Sequence, residues 1–200
     1  VWAAHNVPPE GKVSRELLAS QIRAQPASTH AVEELLFVSM RKLEKGFERK
    51  FGAKLFKHQI DDGSAMQQIS RFHCRDQASL LRLAKEIIRV FSDRLNLREL
   101  RKLSSHAEKD KLGSNKLLQD VLAKKIGEER ARQVFGPIVG AYDLRVGDAH
   151  PTSSKIGDAL ELAGIDESQS YLRQGEQLIH NVGYSVWCIG KLLFEEKGNP

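Results

Sequence analysis

The sequence predicts an all-α protein, a helical bundle with a long C-terminal helix and an appended N-terminal helical segment. Apolar residues recur every three or four positions along most of the chain, which is the spacing of one helix face. No segment shows the strict alternation of apolar and polar residues that is typical of a half-buried strand. Proline and several glycines fall where the periodic segments end, which is where helices are expected to stop or restart.

The N-terminal part is predicted to hold an irregular lead-in and two helices. Residues 1–13 contain three helix-disfavouring residues, two prolines and a glycine. Ser14 can cap a short helix that Pro26 ends. A long helix then opens at Ser28 or Thr29, and its apolar positions continue at helical spacing to residue 51.

The middle of the chain is predicted to hold three helices separated by an interruption and a loop. Asp76 begins the most regular helix. Asn96 interrupts this helix, and one or two further helical turns follow it and end near residue 103. The polar stretch from Ser104 to Asn115 predicts a loop. A helix with apolar positions from residue 118 to 126 follows, and Gly127 ends it.

The C-terminal part is predicted to hold a short piece over 128–135 and three helices. Pro137 suits the first turn of a new helix, which must end near residue 149 because Pro151 disfavours helical geometry before it. A helix capped at Ser153 or Ser154 follows. The last helix starts at Asp166 or Ser168, and about 28 residues would give it a length of roughly 42 Å.

These elements suggest a division of the chain into two parts. We expect residues 1–75 to form an N-terminal helical extension and residues 76–200 to form the bundle, with one continuous domain as the alternative. Because the chain begins with Val1 and stops at Pro200, we expect further domains of a longer parent protein.

Charge and cysteine content narrow the class of protein. The net charge is +5, and residues 41–111 carry 18 Lys/Arg against 10 Asp/Glu, which fits contact with a polyanion such as RNA. The two cysteines suit neither a disulfide scaffold nor a structural metal, and Cys188 is expected to be a buried apolar side chain. No apolar run approaches the length that spans a bilayer. We therefore expect a cytoplasmic protein with no membrane partner, metal or cofactor.

Four Arg–His pairs stand with four to six residues between them, a spacing that can place a phosphate-binding guanidinium beside a proton-transferring imidazole. With 15 Arg and 7 His residues, chance alone yields such pairs, so the local context must select among them. The four pairs are Arg23/His30, Arg101/His106, Arg145/His150 and Arg173/His180.

The local context favours Arg145 and His150. Arg145 and Asp148 are three residues apart on one helix face, so they can pair and hold the guanidinium in place. Pro151 forces the backbone out of the helix at His150, so its ring can turn toward a cleft. Arg101 and His106 remain the rival pair, since they end a basic helix and enter a polar loop.

The passage from Ala141 to Pro151, in an all-helical chain with a further helix and a long last helix behind it, resembles the HEPN superfamily of helical nucleotide-binding proteins. The resemblance covers residues 76–196. It implies a metal-independent endoribonuclease or an RNA-binding domain, a homodimer, and a bacterial phage-defence or toxin–antitoxin setting. It also implies catalytic roles for three residues. Arg145 would hold the phosphate, His150 would act as general acid or base, and Asp148 would orient Arg145 or tune His150.

Two alternatives remain open at this stage. Val146 stands where the family usually has a polar residue, whereas the rival pair has Lys102 in that place. The alternative is that the chain is a non-catalytic helical module of a larger protein, which acts in protein interaction, dimerisation or nucleic-acid binding. A nucleotide-sensing domain is a weaker alternative, since no glycine-rich phosphate loop is present.

Overall fold

The protein is all-α. A computed structural model describes residues 18–24, 31–57, 63, 67–106, 108–147 and 153–194. These residues form seven α-helices and no β-sheet, with one isolated bridge between Phe56 and Leu95. The helices are α1 (Val32–Phe51), α2 (Gln77–Phe91), α3 (Leu97–Leu103), α4 (Ser114–Ile126), α5 (Glu128–Gly147), α6 (Ser153–Ala163) and α7 (Tyr171–Phe194).

The chain divides into two compact units, Val1–Ala31 and Val32–Pro200. In the first unit the structure describes one short π-helix, Leu18–Ile22. All seven α-helices belong to the second unit. The second unit therefore includes α1, which the sequence analysis placed in an N-terminal extension ending at residue 75.

Helices α1 and α7 form the most extensive helix pair of the second unit. Leu36, Met40 and Leu43 of α1 are fully buried, and they recur at the spacing of one helix face. Gly183 of α7 lets the backbones approach, because a Cβ there would lie 3.1 Å from the backbone nitrogen of Leu36. This packing explains why α1 belongs to the same unit as α7.

Helix α2 begins as the sequence predicts. Asp76 caps it by accepting a hydrogen bond of 2.8 Å from the Ser79 backbone, and the Ser79 hydroxyl oxygen accepts one from the Asp76 backbone. Asn96 separates α2 from α3 and caps α3 through the backbone of Glu99. Buried Cys74 lies two residues before Asp76 and against Gly175 of α7. Burial and the negative charge of Asp76 raise the pKa of the Cys74 thiol to about 11.

The predicted break at Pro137 is wrong, because α5 runs without interruption from Glu128 to Gly147. Proline in a helix interior removes one backbone hydrogen bond and normally kinks or ends the helix. Here an apolar stripe continues across it, and every member of that stripe is fully buried. The stripe consists of Ala131, Phe135, Ile138, Ala141 and Leu144. Helix α5 packs against α2, α4, α6 and α7, and burial of this stripe outweighs the local preference for a break.

The last helix begins later than predicted, at Tyr171, and its 24 residues span about 36 Å. The predicted starts, Asp166 and Ser168, instead form a turn in which the Asp166 carboxylate accepts hydrogen bonds from the Ser168 backbone and hydroxyl. The side chain of Gln174 donates to the carbonyls of Glu167 and Gln169 and ties this turn to α7. Asp and Ser favour such turns because their side chains bond the nearby backbone.

Helix α6 packs closely on the middle of α5. A Cβ at Gly140 of α5 would lie 2.7 Å from the carbonyl oxygen of Ala159 and 2.8 Å from Cα of Ala163. Only glycine therefore permits this contact between the two backbones. None of the described helices combines the length and the apolar character that crossing a membrane requires.

Candidate functional site

Arg145 lies in the last turn of α5, and its guanidinium is anchored to a carboxylate on another element. Its Nη1 atom lies 2.9 Å from both Oδ1 and Oδ2 of Asp93, in the turn that follows α2. The Arg145 side chain is 33% exposed and the Asp93 side chain 44%. The ion pair thus orients the guanidinium and leaves part of it open to solvent.

The other two predicted catalytic residues, Asp148 and His150, lie outside the described residues, as does Pro151. The side chains of Ser153 and Ser154, expected as helix caps or phosphate donors, are also outside the description, although α6 does begin at Ser153. The predicted grouping of Arg145, Asp148 and His150 therefore stays a prediction.

A cavity of about 580 Å³ lies beside the Arg145–Asp93 pair. The segment after α1, the turn between α2 and α3, the start of α4 and the C-terminal half of α5 contribute its walls. Its lining residues are Lys57, Ser92, Asp93, Leu95, Leu97, Gly113, Ser114, Asn115, Lys116, Val139, Tyr142 and Asp143. The cavity thus combines an apolar wall with charged side chains of both signs, which is typical of small-molecule sites.

The charges of the cavity are not equivalent. Lys57 and Lys116 bring two positive charges, and Arg145 neutralises Asp93. Asp143 and its neighbour in sequence Tyr142 both line the cavity, and Tyr142 is 44% exposed. Desolvation raises the pKa of Asp143, because partial burial penalises the charged carboxylate. Asp143 therefore holds a proton to higher pH than an ordinary aspartate does.

The start of α4 adds hydrogen-bond donors to this cavity. Gly113 occupies the N-cap position, so no side chain caps the first-turn amides. Ser114 donates its hydroxyl to the carbonyl of Ser92 at 2.9 Å. The Ser92 hydroxyl is buried, and within the described part of the chain it has no hydrogen-bond partner. These groups can bind a polar or anionic ligand atom.

The two members of the rival pair have different partners. Arg101 donates from Nη2 to the Asp110 carbonyl at 3.1 Å, and its Nε lies 3.8 Å from the Asp110 carboxylate. His106 accepts a hydrogen bond at Nδ1 from the Glu108 backbone and lines a different cavity, of about 250 Å³. Arg101 is not among the residues that line this second cavity.

The remaining two Arg–His pairs gain no support as sites. Arg173 pairs with Glu176 on the same helix at 2.6 Å, while His180 stacks on Tyr184 one turn further along. His30, the partner of Arg23 in the sequence pattern, lies outside the described residues. Arg145 does not itself line the 580 Å³ cavity, but its ion-pair partner Asp93 does, together with two lysines.

Sequence reasoning missed Asp93, Lys57 and Ser92. Asp93 lies 52 residues from Arg145 along the chain, so no local spacing connects them. One signal was available for Asp93, since it follows the apolar stripe of α2 directly and therefore lies at the end of a helix. Nothing comparable marks Lys57, whose place on the cavity wall depends on how the segment after α1 packs beside residue 95.

Comparison with known proteins adds nothing to what the geometry of the site indicates. No protein-family model, curated protein or solved structure matches this chain. Within the ranges that the structure describes, no group of three or more His, Cys, Asp and Glu side chains is arranged to hold a metal ion.

Proposed function

We propose that the chain is a HEPN-like RNA-binding protein with metal-independent endoribonuclease activity, and that Arg145 binds the RNA phosphate. The anchored and partly exposed guanidinium beside a cavity with two lysines supports this proposal most directly. Arginine suits the role because its planar fork of donors matches phosphate oxygens. The homodimer, the cytoplasmic location and the bacterial defence or toxin-type setting rest on the family resemblance.

The proposed reaction uses the nucleophile that RNA itself carries. The 2′-oxygen attacks the adjacent phosphorus, a bond from that oxygen to phosphorus forms, and the bond from phosphorus to the 5′-oxygen breaks. A base takes the 2′-hydroxyl proton, and an acid supplies a proton to the departing 5′-oxygen. Arg145 stabilises the negative charge that develops on the phosphoryl oxygens. His150 is the proposed acid or base, and Asp148 is proposed to orient Arg145 or to tune His150.

The cavity carries the groups that the rest of an RNA strand needs. Lys57 and Lys116 can each contact a neighbouring phosphate. Tyr142 offers a partly exposed ring on which a base can stack, and Asp143 can accept hydrogen bonds from ribose or base. The cavity therefore suits one or two nucleotides of a single strand.

Cleavage of labelled single-stranded RNA in EDTA tests the proposal. We expect cleavage of an all-ribose strand and none where the residue 5′ to the scissile phosphate lacks its 2′-hydroxyl. Arg145→Ala and His150→Ala should each lower the cleavage rate by about 100-fold or more without changing the fold. Persistence of cleavage in both variants would remove this assignment, and loss only in Arg101→Ala or His106→Ala would move the site to the rival pair.

The second candidate is a non-catalytic RNA-binding module. The observation that favours it is Val146, a half-exposed apolar side chain directly after Arg145, where active family members usually have a polar residue. In this case Arg145→Ala weakens RNA binding, and the wild-type chain binds RNA with no turnover. A binding assay run beside the cleavage assay separates the two functions.

A further inference from the structure

The start of α4 is an uncapped helix end that opens onto the cavity that Asp93 lines. Gly113 occupies the N-cap position, and no side chain in the described part of the chain caps the first-turn amides. Leu117 is the first residue of α4 whose amide bonds back along the helix, to the Gly113 carbonyl at 3.1 Å. The amides of residues 114–116 therefore have no acceptor within the helix, and these residues line the cavity. Their partial positive charge favours an anion.

Ser92 is a second and independent indication of a ligand site at this helix end. It lines the same cavity and is 2% exposed, yet its hydroxyl has no hydrogen-bond partner among the described residues. Buried hydroxyls are normally bonded, because an unmet hydrogen bond costs free energy. The hydroxyl of Ser114 donates to the Ser92 carbonyl at 2.9 Å, so Ser92 lies directly beside the start of α4. A ligand atom at the helix end can therefore complete the hydrogen bonding of Ser92.

Asn115 indicates which other group the ligand carries. Its Oδ1 atom is buried and accepts no hydrogen bond within the part of the chain that the structure describes. Asn115 is the second residue of α4, and it lines the cavity. Because a carbonyl oxygen only accepts hydrogen bonds, its partner on the ligand must be a donor such as a hydroxyl group. A phosphate beside the helix amides and a hydroxyl beside Asn115 together describe a phosphorylated sugar.

The lysines of the cavity favour a dianion over a singly charged phosphate. Lys57 and Lys116 line the cavity, and neither ammonium has a hydrogen-bond or ion-pair partner within the described ranges. Of the two aspartates on the wall, Asp93 is neutralised by Arg145, which leaves Asp143 as the opposing charge. A terminal phosphate carries a charge of about −1.5 to −2 near pH 7 and three acceptor oxygens. An internal phosphodiester carries a single negative charge, so it uses these donors less fully.

The larger groove between α5, α6 and α7, of about 980 Å³, has a different chemistry. Its buried hydroxyl, on Ser185, donates to the Val134 carbonyl. Asp158 and Glu161 line this groove and disfavour an anion. The prediction of a buried Cys188 is wrong, since Cys188 is half-buried on the groove wall. The features that favour a phosphate thus coincide in the smaller cavity.

We infer that the start of α4 binds a terminal phosphate carried by a ribose. The amides of residues 114–116 and the Ser92 hydroxyl donate to the phosphate oxygens. Lys57 and Lys116 balance the charge, and the Asn115 side chain accepts from a ribose hydroxyl. Both the phosphorylated end of an RNA strand and a free sugar phosphate present this group. The inference rests on the proposed function for RNA as the source of the ribose, and it is independent of the cleavage chemistry.

Isothermal titration calorimetry of the 200-residue chain with ribose 5-phosphate tests the inference. We expect saturable binding that is about 10-fold or more tighter than that of ribose or of inorganic phosphate, since only the phosphorylated sugar meets both the helix end and Asn115. Ribose 5-phosphate has no scissile linkage, so its binding does not depend on whether the chain cleaves RNA. Absence of binding at about 10 mM ribose 5-phosphate would overturn the inference.

Two substitutions at Gly113 separate ligand binding from folding. Gly113→Asp and Gly113→Asn each supply a side chain that can cap the amides, and a Cβ at Gly113 meets no heavy atom of the described residues within 4 Å. Both variants should therefore keep or raise the melting temperature while they weaken the binding of ribose 5-phosphate. The aspartate should weaken it about 10-fold more than the asparagine, because its charge repels the dianion. Equal affinities for wild type and both variants would overturn the inference.

Ser92→Ala and Asp143→Asn should change the affinity in opposite directions. Ser92→Ala removes a buried hydroxyl that has no partner within the described residues, so we expect unchanged stability and about 10-fold weaker binding. Asp143→Asn removes a negative charge from the cavity wall, so binding should become about threefold tighter. Lys102→Gln is the control and should bind like wild type, because Lys102 pairs with Glu99 and does not line the cavity. Unchanged binding in Ser92→Ala, or weaker binding in Asp143→Asn, would contradict the assignment.

Matched strands distinguish the two sources of the terminal phosphate. The strands are tetranucleotides with a 5′-phosphate, a 3′-phosphate or no terminal phosphate, and 2′-deoxyribose throughout prevents their cleavage. Binding that is about 10-fold tighter with one terminal phosphate supports the inference and identifies a strand end as the ligand. Equal binding of the three strands, together with binding of ribose 5-phosphate, supports it with a free sugar phosphate as the ligand. Cleavage of RNA by a chain that does not bind ribose 5-phosphate would overturn this inference alone, whereas binding without cleavage would remove only the proposed chemistry.

Discussion

Arg145 and Asp93 join the end of α5 to the end of α2, with Nη1 of the arginine 2.9 Å from each carboxylate oxygen. The pair connects positions 52 residues apart. Both side chains are partly open to water, and ion pairs of this kind contribute roughly 1 kcal/mol or less to stability. The ion pair therefore serves mainly to position the guanidinium and adds little to the stability of the bundle.

Asp93→Asn tests this positioning role. The variant removes the anionic partner and keeps the shape of the side chain, so we expect stability to fall by less than about 1 kcal/mol. In this variant no carboxylate neutralises the Arg145 guanidinium, and none holds it in one orientation. RNA affinity should therefore stay the same or rise, while the single-turnover cleavage rate falls. An equal fall in affinity and rate would show that Asp93 itself contacts the RNA.

The lysines of the cavity predict a salt dependence. Lys57→Gln and Lys116→Gln each remove one candidate phosphate contact, so each should lower the slope of log Kd against log salt by about 0.7 for a single strand. Fluorescence anisotropy over a series of salt concentrations measures the slope. Lys102→Gln is the control, because Lys102 pairs with Glu99 at 2.8 Å and does not line the cavity. Equal slopes for all three variants would contradict the proposed RNA path.

The contact between α5 and α6 predicts opposite effects for two glycine substitutions. Gly140→Ala places a methyl group against the α6 backbone, so we expect a loss of stability of about 1–3 kcal/mol. Gly157→Ala meets only the Glu167 carboxylate at 3.5 Å, so the better helix propensity of alanine should leave stability unchanged or raise it by up to about 1 kcal/mol. Urea denaturation measures both. Equal effects would contradict the close packing of these helices.

The raised pKa of Asp143 predicts a pH dependence of stability. Desolvation favours the protonated carboxyl in the folded state, so the wild-type chain loses stability relative to Asp143→Asn as pH rises from 3.8 through the raised pKa. The variant should therefore gain stability over wild type between pH 3 and pH 7.

The lowered pKa of Asp76 predicts a pH dependence of stability with the opposite sign. Hydrogen bonds from Ser79 lower the pKa of Asp76, so the advantage of wild type over Asp76→Asn should shrink as pH falls below 3.8.

Much of the fold follows from local sequence signals. The Asp76 cap, the interruption at Asn96 and the end of α4 before Gly127 are each set by residues within one helical turn. Such signals act through short-range hydrogen bonds and backbone preferences, which a sequence displays directly. The all-α class follows from the same apolar periodicity along the chain.

The errors arise where long-range packing outweighs a local preference. Pro137 predicts a helix start, but the buried stripe on both sides of it keeps α5 continuous. The packing of α1 on α7, on which the alternatives of two parts and one continuous domain depend, likewise involves a close approach to Gly183, more than 130 residues away. No window of sequence contains both partners of that contact.

In the candidate site, too, local signals could be identified in the sequence, whereas residues brought together by long-range packing could not. Arg145 could be selected from sequence because its helix end and the following proline lie beside it. Asp93 and Lys57 could not be selected, since only the packing of the segment after α1 and of the end of α2 brings them to the cavity. Asp148 and His150 remain predictions from the sequence pattern and the resemblance.

The most direct test of the central claim is the single-turnover rate of RNA cleavage in EDTA by wild type, Arg145→Ala and Arg130→Ala. Arg130 is the control because it is an exposed arginine in the first turn of the same helix. We predict that Arg145→Ala lowers the rate by about 100-fold or more, as expected when a group that stabilises transition-state charge is removed. Arg130→Ala should cleave like wild type. Equal rates for all three proteins would contradict a role for Arg145 at the phosphate.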